Sequence, residues 1–257
     1  MIYLCSGITE NYYEKAKPFL QSLDNILVNK NVRKIVLTLD FILPKLDKKL
    51  YPSIEFTLVP TTKLKSELTK INCLQHGRFL DYINDELSNE DVIIFTDADI
   101  FIQRDMTPEE IEKFSKLSIH TIFVGPNNHQ DNSLMGEYKL LEPKVEYEEI
   151  LNHYEIQHIY RKKYKIYNTG VVAATVFAWQ KMLNSYVAGF AFINANMRHY
   201  AKQQFLMSII MQKEFNVEIM PQSIHTHGHF GLVPYATIDN DDTLLFDGKP
   251  VLFRHKI

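Results

Sequence analysis

Residues 91–105, DVIIFTDADIFIQRD, set two carboxylates where an apolar strand ends. Val92–Thr96 is a run of β-branched and aromatic residues, the composition of a buried parallel strand. It breaks off at Asp97-Ala98-Asp99 before apolar character resumes at Ile100. An unpaired ion in a low-dielectric interior is very costly, so a chain that keeps two of them must neutralise them. Alternate residues of an extended chain point the same way, and open α/β sheets bind ligands outside the carboxyl ends of their strands. The least costly neutraliser for two acids so placed is a divalent cation. The motif therefore asks for an α/β sheet with a cleft at its carboxyl edge, and for Asp97 and Asp99 as one metal site within it.

The rest of the chain carries an α/β rhythm. Ile2–Cys5 reads as a first strand, closed by a turn at Ser6–Thr9. Residues 9–13 form a loop above it, where a doubly wound fold receives a nucleotide. Helical spacing begins at about Ala16 and Lys17, with Pro18 near the first turn, where its missing N–H costs little. Lys34–Leu39 and Ile54–Val59 read as two more strands. Lys63–Leu87 is a basic segment with apolar residues at helical intervals, broken or kinked at Gly77. Beyond the acidic strand, Thr107-Pro108-Glu109-Glu110 supplies an N-cap, a proline at the first helical position and a capping-box acid, predicting a helix to about Leu117.

Thr121–Val124 is the next strand, and 125–136 a polar, turn-rich loop over the cleft. In Tyr167–Thr175 a polar turn feeds a strand of small residues, and Gly170 marks a close approach of backbone to another group. Helices are expected around 177–186 and 198–215. The tail holds His225, His227 and His229 at alternate positions, then a turn and short strand from Gly248 to His255.

Composition narrows the function. Twenty-eight Lys and Arg against 31 Asp and Glu leave a net charge of −3 over 257 residues. That argues against nucleic acid as the main partner, which leaves a basic footprint. A local patch such as Arg161–Lys165 still suits a phosphate or a peripheral contact with an anionic membrane. Cys5 in a strand and Cys73 in a helix fit buried thiols better than a disulfide scaffold. No apolar run reaches membrane-spanning length, and the first residues lack the basic and long apolar segments of a signal peptide. The expectation is a cytoplasmic protein with no transmembrane segment. A chain of this size buries a large core, as one domain with an elaborated second half or as two.

Several side chains carry two readings each. Tyr12 or Tyr13 stacks on a base or packs on the sheet edge. Arg78, one helix ahead of the acids, binds an anion bidentately or is a solvated surface residue. Asn168 presents its amide to a hydroxylated ligand or is an ordinary turn asparagine. Lys202, Gln203 and Gln204 lie beside an apolar face of Phe205, Leu206, Ile209 and Ile210; the glutamines point into a polar site or into solvent, and sequence alone favours solvent. A neutral imidazole completes a cation site begun by carboxylates. His255 ends a strand, as Asp97 does, which sets it above His225, His227 and His229.

An apolar strand ending in Asp-x-Asp near residue 100 of such a chain resembles the nucleotide-diphospho-sugar glycosyltransferases of the GT-A fold. YLCSGITENYYEKAKPFLQSL looks like their donor-binding start, VIIFTDADIFIQRD their metal motif, and YNTGVVAA the Asn-x-Gly-Val segment of glycogenin-like and galactosyltransferase relatives. KQQFLMSII is similar to their Asp-Gln helix, with Lys202 in the acid's place and Gln203 keeping the amide. KPVLFRH resembles their late strand ending in a metal-binding histidine, although the fuller His-x-x-Gly-x-x-Lys-Pro-Trp tail is absent.

The resemblance implies a Rossmann-like three-layer α/β sandwich with a central, mostly parallel sheet. It implies a single domain, with residues 1–105 as the nucleotide-sugar-binding half and 106–257 as the acceptor-binding half and metal-binding tail. Asp99 would ligate metal, Asp97 would ligate or hold the ribose, and His255 would be the third protein ligand. Thr9, Tyr13, Arg78 and Ala98 would line the donor, with Gln203 and Asn168 at the reacting sugar. Mn²⁺ or Mg²⁺ is the implied cofactor. The implied donor is a nucleoside-diphosphate sugar, first a UDP-sugar, and the acceptor a glycan, lipid-linked or protein hydroxyl. The resemblance favours a retaining outcome; an inverting one would need a carboxylate base, for which Asp131 and Asp239 rank equally.

Two rivals stand beside this reading. Asp-x-Asp after an apolar strand also opens phosphatases with an aspartyl nucleophile, but there the motif lies near the amino terminus and Thr or Val follows, where this chain has Phe101. The altered Asp-Gln and Lys-Pro segments also suit a GT-A-shaped module that binds nucleotide-sugar or carbohydrate without turnover.

Overall fold

Four strands rich in β-branched residues lie side by side in parallel: β1 (Ile2–Thr9), β2 (Val32–Leu39), β3 (Glu55–Val59) and β4 (Val92–Thr96). The computed structural model describes residues 1–26, 31–60, 79–83, 86–127, 133–156, 164–199, 201–226 and 235–255. Most of the segment expected as a basic helix, with Cys73, Gly77 and Arg78, lies outside these, as do Asp131, His227 and His229.

β7 (Asn168–Thr175) runs antiparallel between β4 and β6 (Thr121–Gly125), and β8 (Asn216–Ile219) closes the far edge parallel to β6. The sheet order is β3-β2-β1-β4-β7-β6-β8. It is mostly parallel, with β7 the one reversed strand.

The period-2 alternation of the strands divides the core into two faces. Tyr3, Cys5, Ile93, Phe95, Val172 and Ala174 point to one, and Ile2, Leu4, Ile94, Val171 and Ala173 to the other. Over the second face lie α1 (Tyr13–Asn25) and α2 (Pro108–Ser115). Over the first lie α3 (Leu134–Leu140), α4 (Tyr147–His153), α5 (Val176–Asn196) and α6 (Lys202–Glu214). This is a three-layer α/β sandwich.

Two local expectations change. The turn expected at Ser6–Thr9 is strand, because β1 is central and pairs with β2 as far as Thr9 opposite Leu39. The Ser6 hydroxyl, which would favour a turn in isolation, donates to the Thr96 carbonyl at 2.8 Å. Helix α1 starts at Tyr13, earlier than its spacing suggests, and carries Pro18 in its interior. The capping box at Thr107 and Glu110 forms as the sequence predicts.

A second, small sheet fixes the tail. β5 (Ile100–Ile102) pairs antiparallel with β13 (Phe253–His255), which pairs in turn with β9 (His225–Thr226). The residues just after β5 hold it there. Gln103 accepts the Leu244 N–H at 2.9 Å and donates to the carbonyls of Leu244 and Val251. Arg104 grips Glu110 bidentately at 2.8 and 2.7 Å and donates to the carbonyls of Pro250 and Ser223. The outer hairpin strands β10 (Ala236–Ile238), β11 (Leu244–Phe246) and β12 (Lys249–Pro250) hang from this strap.

Bidentate charge-assisted hydrogen bonds are the strong ones. Arg104→Ala is therefore expected to cost about 2–3 kcal/mol in urea unfolding, since it also leaves the half-buried Glu110 without its cation. A loss within about 0.5 kcal/mol, the range of an ordinary surface substitution, would mean that the tail is held by other contacts.

Candidate functional site

The chain leaves the sheet at the carboxyl end of β4 in a tight turn. Asp97 N–H donates to the Gly170 carbonyl at 2.8 Å, and Ile100 N–H donates to the Asp97 carbonyl at 3.2 Å. Ala98, between the two acids, is buried in the core. Its methyl anchors the turn, so Ala98 serves the site through backbone placement. Asp97 and Asp99 themselves are half-buried.

The pairing of β13 with β5 puts His255 opposite Ile100, one residue from Asp99. His255 Nε2 lies 3.5 Å from Asp99 Oδ2. From the other side comes β7. A Cβ added to Gly170 would lie 2.8 Å from Asn168 Oδ1, 3.4 Å from His255 Nδ1 and 3.5 Å from Asp97 Oδ2. Residues from Asp97 to His255, far apart in the chain, thus face one space, and the missing side chain of Gly170 leaves it open. Asn168 is buried, and its Oδ1 accepts the Gly170 N–H at 2.8 Å. That local turn is what presents the glycine.

These atoms have the chemistry of a hard-cation site: carboxylate and amide oxygens with one imidazole. Among the described residues, no group of three His, Cys, Asp or Glu side chains is gathered tightly enough to hold an ion by itself. The donor set and the opening at Gly170 nevertheless fit a cation that shares its coordination with a ligand, because two carboxylates and one imidazole leave positions for ligand oxygens.

The remaining sequence-derived candidates divide. Thr9 ends β1 beside the site, half-buried and extended. Tyr13 does not face the site. It is buried against Phe41, with its hydroxyl donating to Asp47 at 3.1 Å. Tyr12 is the ring beside the acids: burial first, then the charges of Asp99 and Asp97, push its phenol above the ordinary value. The helix start decides between them, since Tyr13 is the first residue of α1 and points inward with Ala16 and Leu20.

The two glutamines of α6 part in the same way. Gln204 Oε1 accepts the Thr169 N–H at 3.4 Å. Gln203 Oε1 is buried with no hydrogen-bond partner among the described residues. Neither points to solvent as spacing alone suggests. Lys202 donates to Asn194 at 2.6 Å and stays on the helix surface. Asp239 spends its carboxylate on the N–H groups of Asp241 and Thr243, as a turn residue does.

His225 is fully buried, its ring filling the space beside Gly125, where a Cβ would meet Nδ1 at 2.4 Å. Of the two tail histidines within the described residues, only His255 stands beside Asp99. Sequence reading did not single out Glu137, a buried acid on α3 whose carboxyl is pushed above the usual range by burial, with Gln204 opposing the shift. Its only signal there is one acid among the mixed charges of a short helix.

No family model matches the sequence, and no curated protein matches it. Solved structures do. A galactosyltransferase, LgtC, in complex with donor and acceptor sugar analogues, superposes with a TM-score of 0.59 at 13% identity, over 99% of this chain and 86% of that one. Mouse xyloside xylosyltransferase 1 gives 0.55 at 13%, over 99% and 97%. WbbM, a bifunctional glycosyltransferase, gives 0.53 at 12%, over 88% of this chain and 40% of that one. The chain has the GT-A glycosyltransferase fold. In this fold β4 runs into the Asp97–Asp99 turn, and β7 and the tail strand face that turn at the sheet's carboxyl edge. No helix among the described residues is long and apolar enough to cross a membrane.

Gly170 has a direct test. Gly170→Ala places a methyl against Asn168 and within contact of Asp97 and His255, and overpacking of this kind costs about 1–3 kcal/mol. Thermal unfolding should register that loss, and an unchanged Tm would mean that the Asn168 side chain gives way without cost.

Proposed function

We propose that this protein transfers a sugar from a nucleoside-diphosphate sugar, first among them a UDP-sugar, to a hydroxyl of a glycan, lipid-linked or protein acceptor, with Mn²⁺ or Mg²⁺ as cofactor. The observation that carries the reading is the convergence of Asp97, Asp99 and His255 on the space opened by Gly170. The shared fold with a galactosyltransferase and a xylosyltransferase supports it.

Asp97, Asp99 and His255 would hold the cation, with Asn168 Oδ1 bordering the same space. A divalent ion there offsets the charge that develops on the leaving diphosphate as the glycosidic bond breaks. The chain's own groups do the rest. Tyr12 presents a half-buried ring beside the acids, in place to stack on the donor's base. Thr9 closes the neighbouring strand end, where a doubly wound sheet receives a nucleotide.

Gln203 carries a buried amide oxygen that a donor sugar hydroxyl would satisfy. A structure of LgtC with an active-site glutamine changed to glutamate is also similar to this chain, with a TM-score of 0.59 at 12% identity. That supports placing a glutamine at the donor. A retaining course is the one the family resemblance favours: the leaving phosphate then takes the acceptor's proton, and Asp239, one of the two candidate bases for the inverting alternative, is committed to its own turn.

Calorimetry of UDP with Mn²⁺ tests the reading. The parent protein binds, and Asp99→Ala loses at least about tenfold in affinity with its fold intact, the scale on which metal-site mutations act. His255→Ala weakens binding far more than His225→Asn. Equal binding by Asp99→Ala and the parent would remove the site.

A further inference from the structure

The stretch of chain that leads into the site parts from its neighbouring strand. β6 and β7 pair residue for residue from Ile122 with Ala174 to Val124 with Val172, and the next pair is Gly125 with Asn168. β6 thus skips Thr169, Gly170 and Val171, and residues 164–167 belong to no strand. Tyr167 and Thr169 are nevertheless buried, and buried backbone N–H groups need partners.

Side chains of α6 supply them. The Lys165 N–H donates to Gln212 Oε1 at 2.8 Å, the Tyr167 N–H to Ser208 Oγ at 3.0 Å and the Thr169 N–H to Gln204 Oε1 at 3.4 Å. Gln212 also donates from Nε2 to the Lys165 carbonyl at 2.8 Å, so that it pairs with that residue as a neighbouring strand would. Spacing explains how a helix can do this. Residues four apart lie on one helix face, and four residues of helix rise roughly 6 Å. Two residues of extended chain advance roughly 6.6 Å, so the stripe meets every second N–H.

Ser208 is the clearest rung. It is fully buried, between Phe205, Leu206, Met207, Ile209, Ile210 and Met211. A hydroxyl in such surroundings is costly unless it is hydrogen-bonded, and this one takes the Tyr167 N–H. Both parts that the ladder joins border the site. The stretch it holds runs into Asn168, whose Oδ1 borders the opening, and Gly170, which creates it. The helix it hangs from carries Gln203, with its buried amide oxygen, beside Gln204.

We infer that Gln204, Ser208 and Gln212 are positioning residues: as a substitute strand edge they fix the entry to β7 against α6, and so place Asn168 and Gly170 relative to Gln203. The ladder stands on its hydrogen-bond geometry, and its consequence for turnover rests on the glycosyl-transfer reading above.

Two variants of the full chain, Ser208→Ala and Gln204→Met, each remove one rung. Amide exchange by NMR reads the ladder without any ligand. The Tyr167 proton in Ser208→Ala, and the Thr169 proton in Gln204→Met, should exchange at least about tenfold faster, as locally opened hydrogen bonds do. In both, the Gly170 proton, held by Asn168 Oδ1 at 2.8 Å, should follow. Turnover is read as Mn²⁺-dependent hydrolysis of UDP-glucose, UDP-galactose and UDP-xylose. For the sugars that the parent protein hydrolyses, kcat of both variants should fall about tenfold, as small misplacements at a reacting centre do. Affinity for UDP with Mn²⁺ should stay within about twofold.

Parent-like exchange at Tyr167 and Thr169 overturns the ladder. Faster exchange there with an unchanged Gly170 proton, an unchanged kcat or a parallel loss of UDP affinity overturns the positioning role. A parent protein that binds no UDP with Mn²⁺, or hydrolyses none of the three sugars, sinks the glycosyl-transfer reading alone, and exchange at Gly170 still decides whether the ladder places the turn.

Discussion

A pairing of three residues with three joins residue 100 to residue 255, and the site exists because of it. β5 emerges directly from the Asp97–Asp99 turn, and β13 is the last described strand of the chain. Their antiparallel register sets His255 across from Ile100 and its ring beside Asp99. So short a ladder would not hold by itself, because isolated two-stranded pairs are marginal in water. The side chains of Gln103 and Arg104, which follow β5 at once, add five hydrogen bonds to the tail, and Glu110 braces the Arg104 guanidinium. The same stretch of sequence therefore supplies the acids, the strand that recruits the histidine, and the strap that keeps it in place.

The second constraint is space. Two acids and an imidazole face each other only if the strand opposite brings no side chain between them. β7 meets this with glycine at 170, and β6 meets a related demand with glycine at 125, where the buried ring of His225 takes the room. One glycine opens a polar space and the other admits a histidine as packing. The two histidines of the small sheet therefore have different fates. His225 is enclosed by backbone, while His255 faces carboxylates.

Part of this was legible in the chain itself. The end of an apolar strand at Asp97, the capping box at Thr107 and Glu110, and the close approach at Gly170 are local signals with local causes, and each appears where the sequence places it. The choice between Tyr12 and Tyr13 was not legible. Neighbouring residues at a strand–helix junction differ in direction by an amount that depends on where the helix begins, and α1 begins earlier than its apolar spacing suggests. Gln203 and Gln204 were read toward solvent because polar residues beside an apolar face usually point there. In the fold, β7 lies against that turn of α6 and gives the Gln204 amide a backbone partner.

What the sequence determined by itself is the sandwich and the place where charge collects: period-2 strands of Val, Ile and Phe must be covered on both faces, and adjacent acids after such a strand must sit at its mouth. Only the tertiary structure decided which distant groups answer those acids. His255, Gly170 and Tyr12 reach their places through sheet order, register and helix packing. Those depend on contacts between residues far apart in the chain, and no local spacing encodes them.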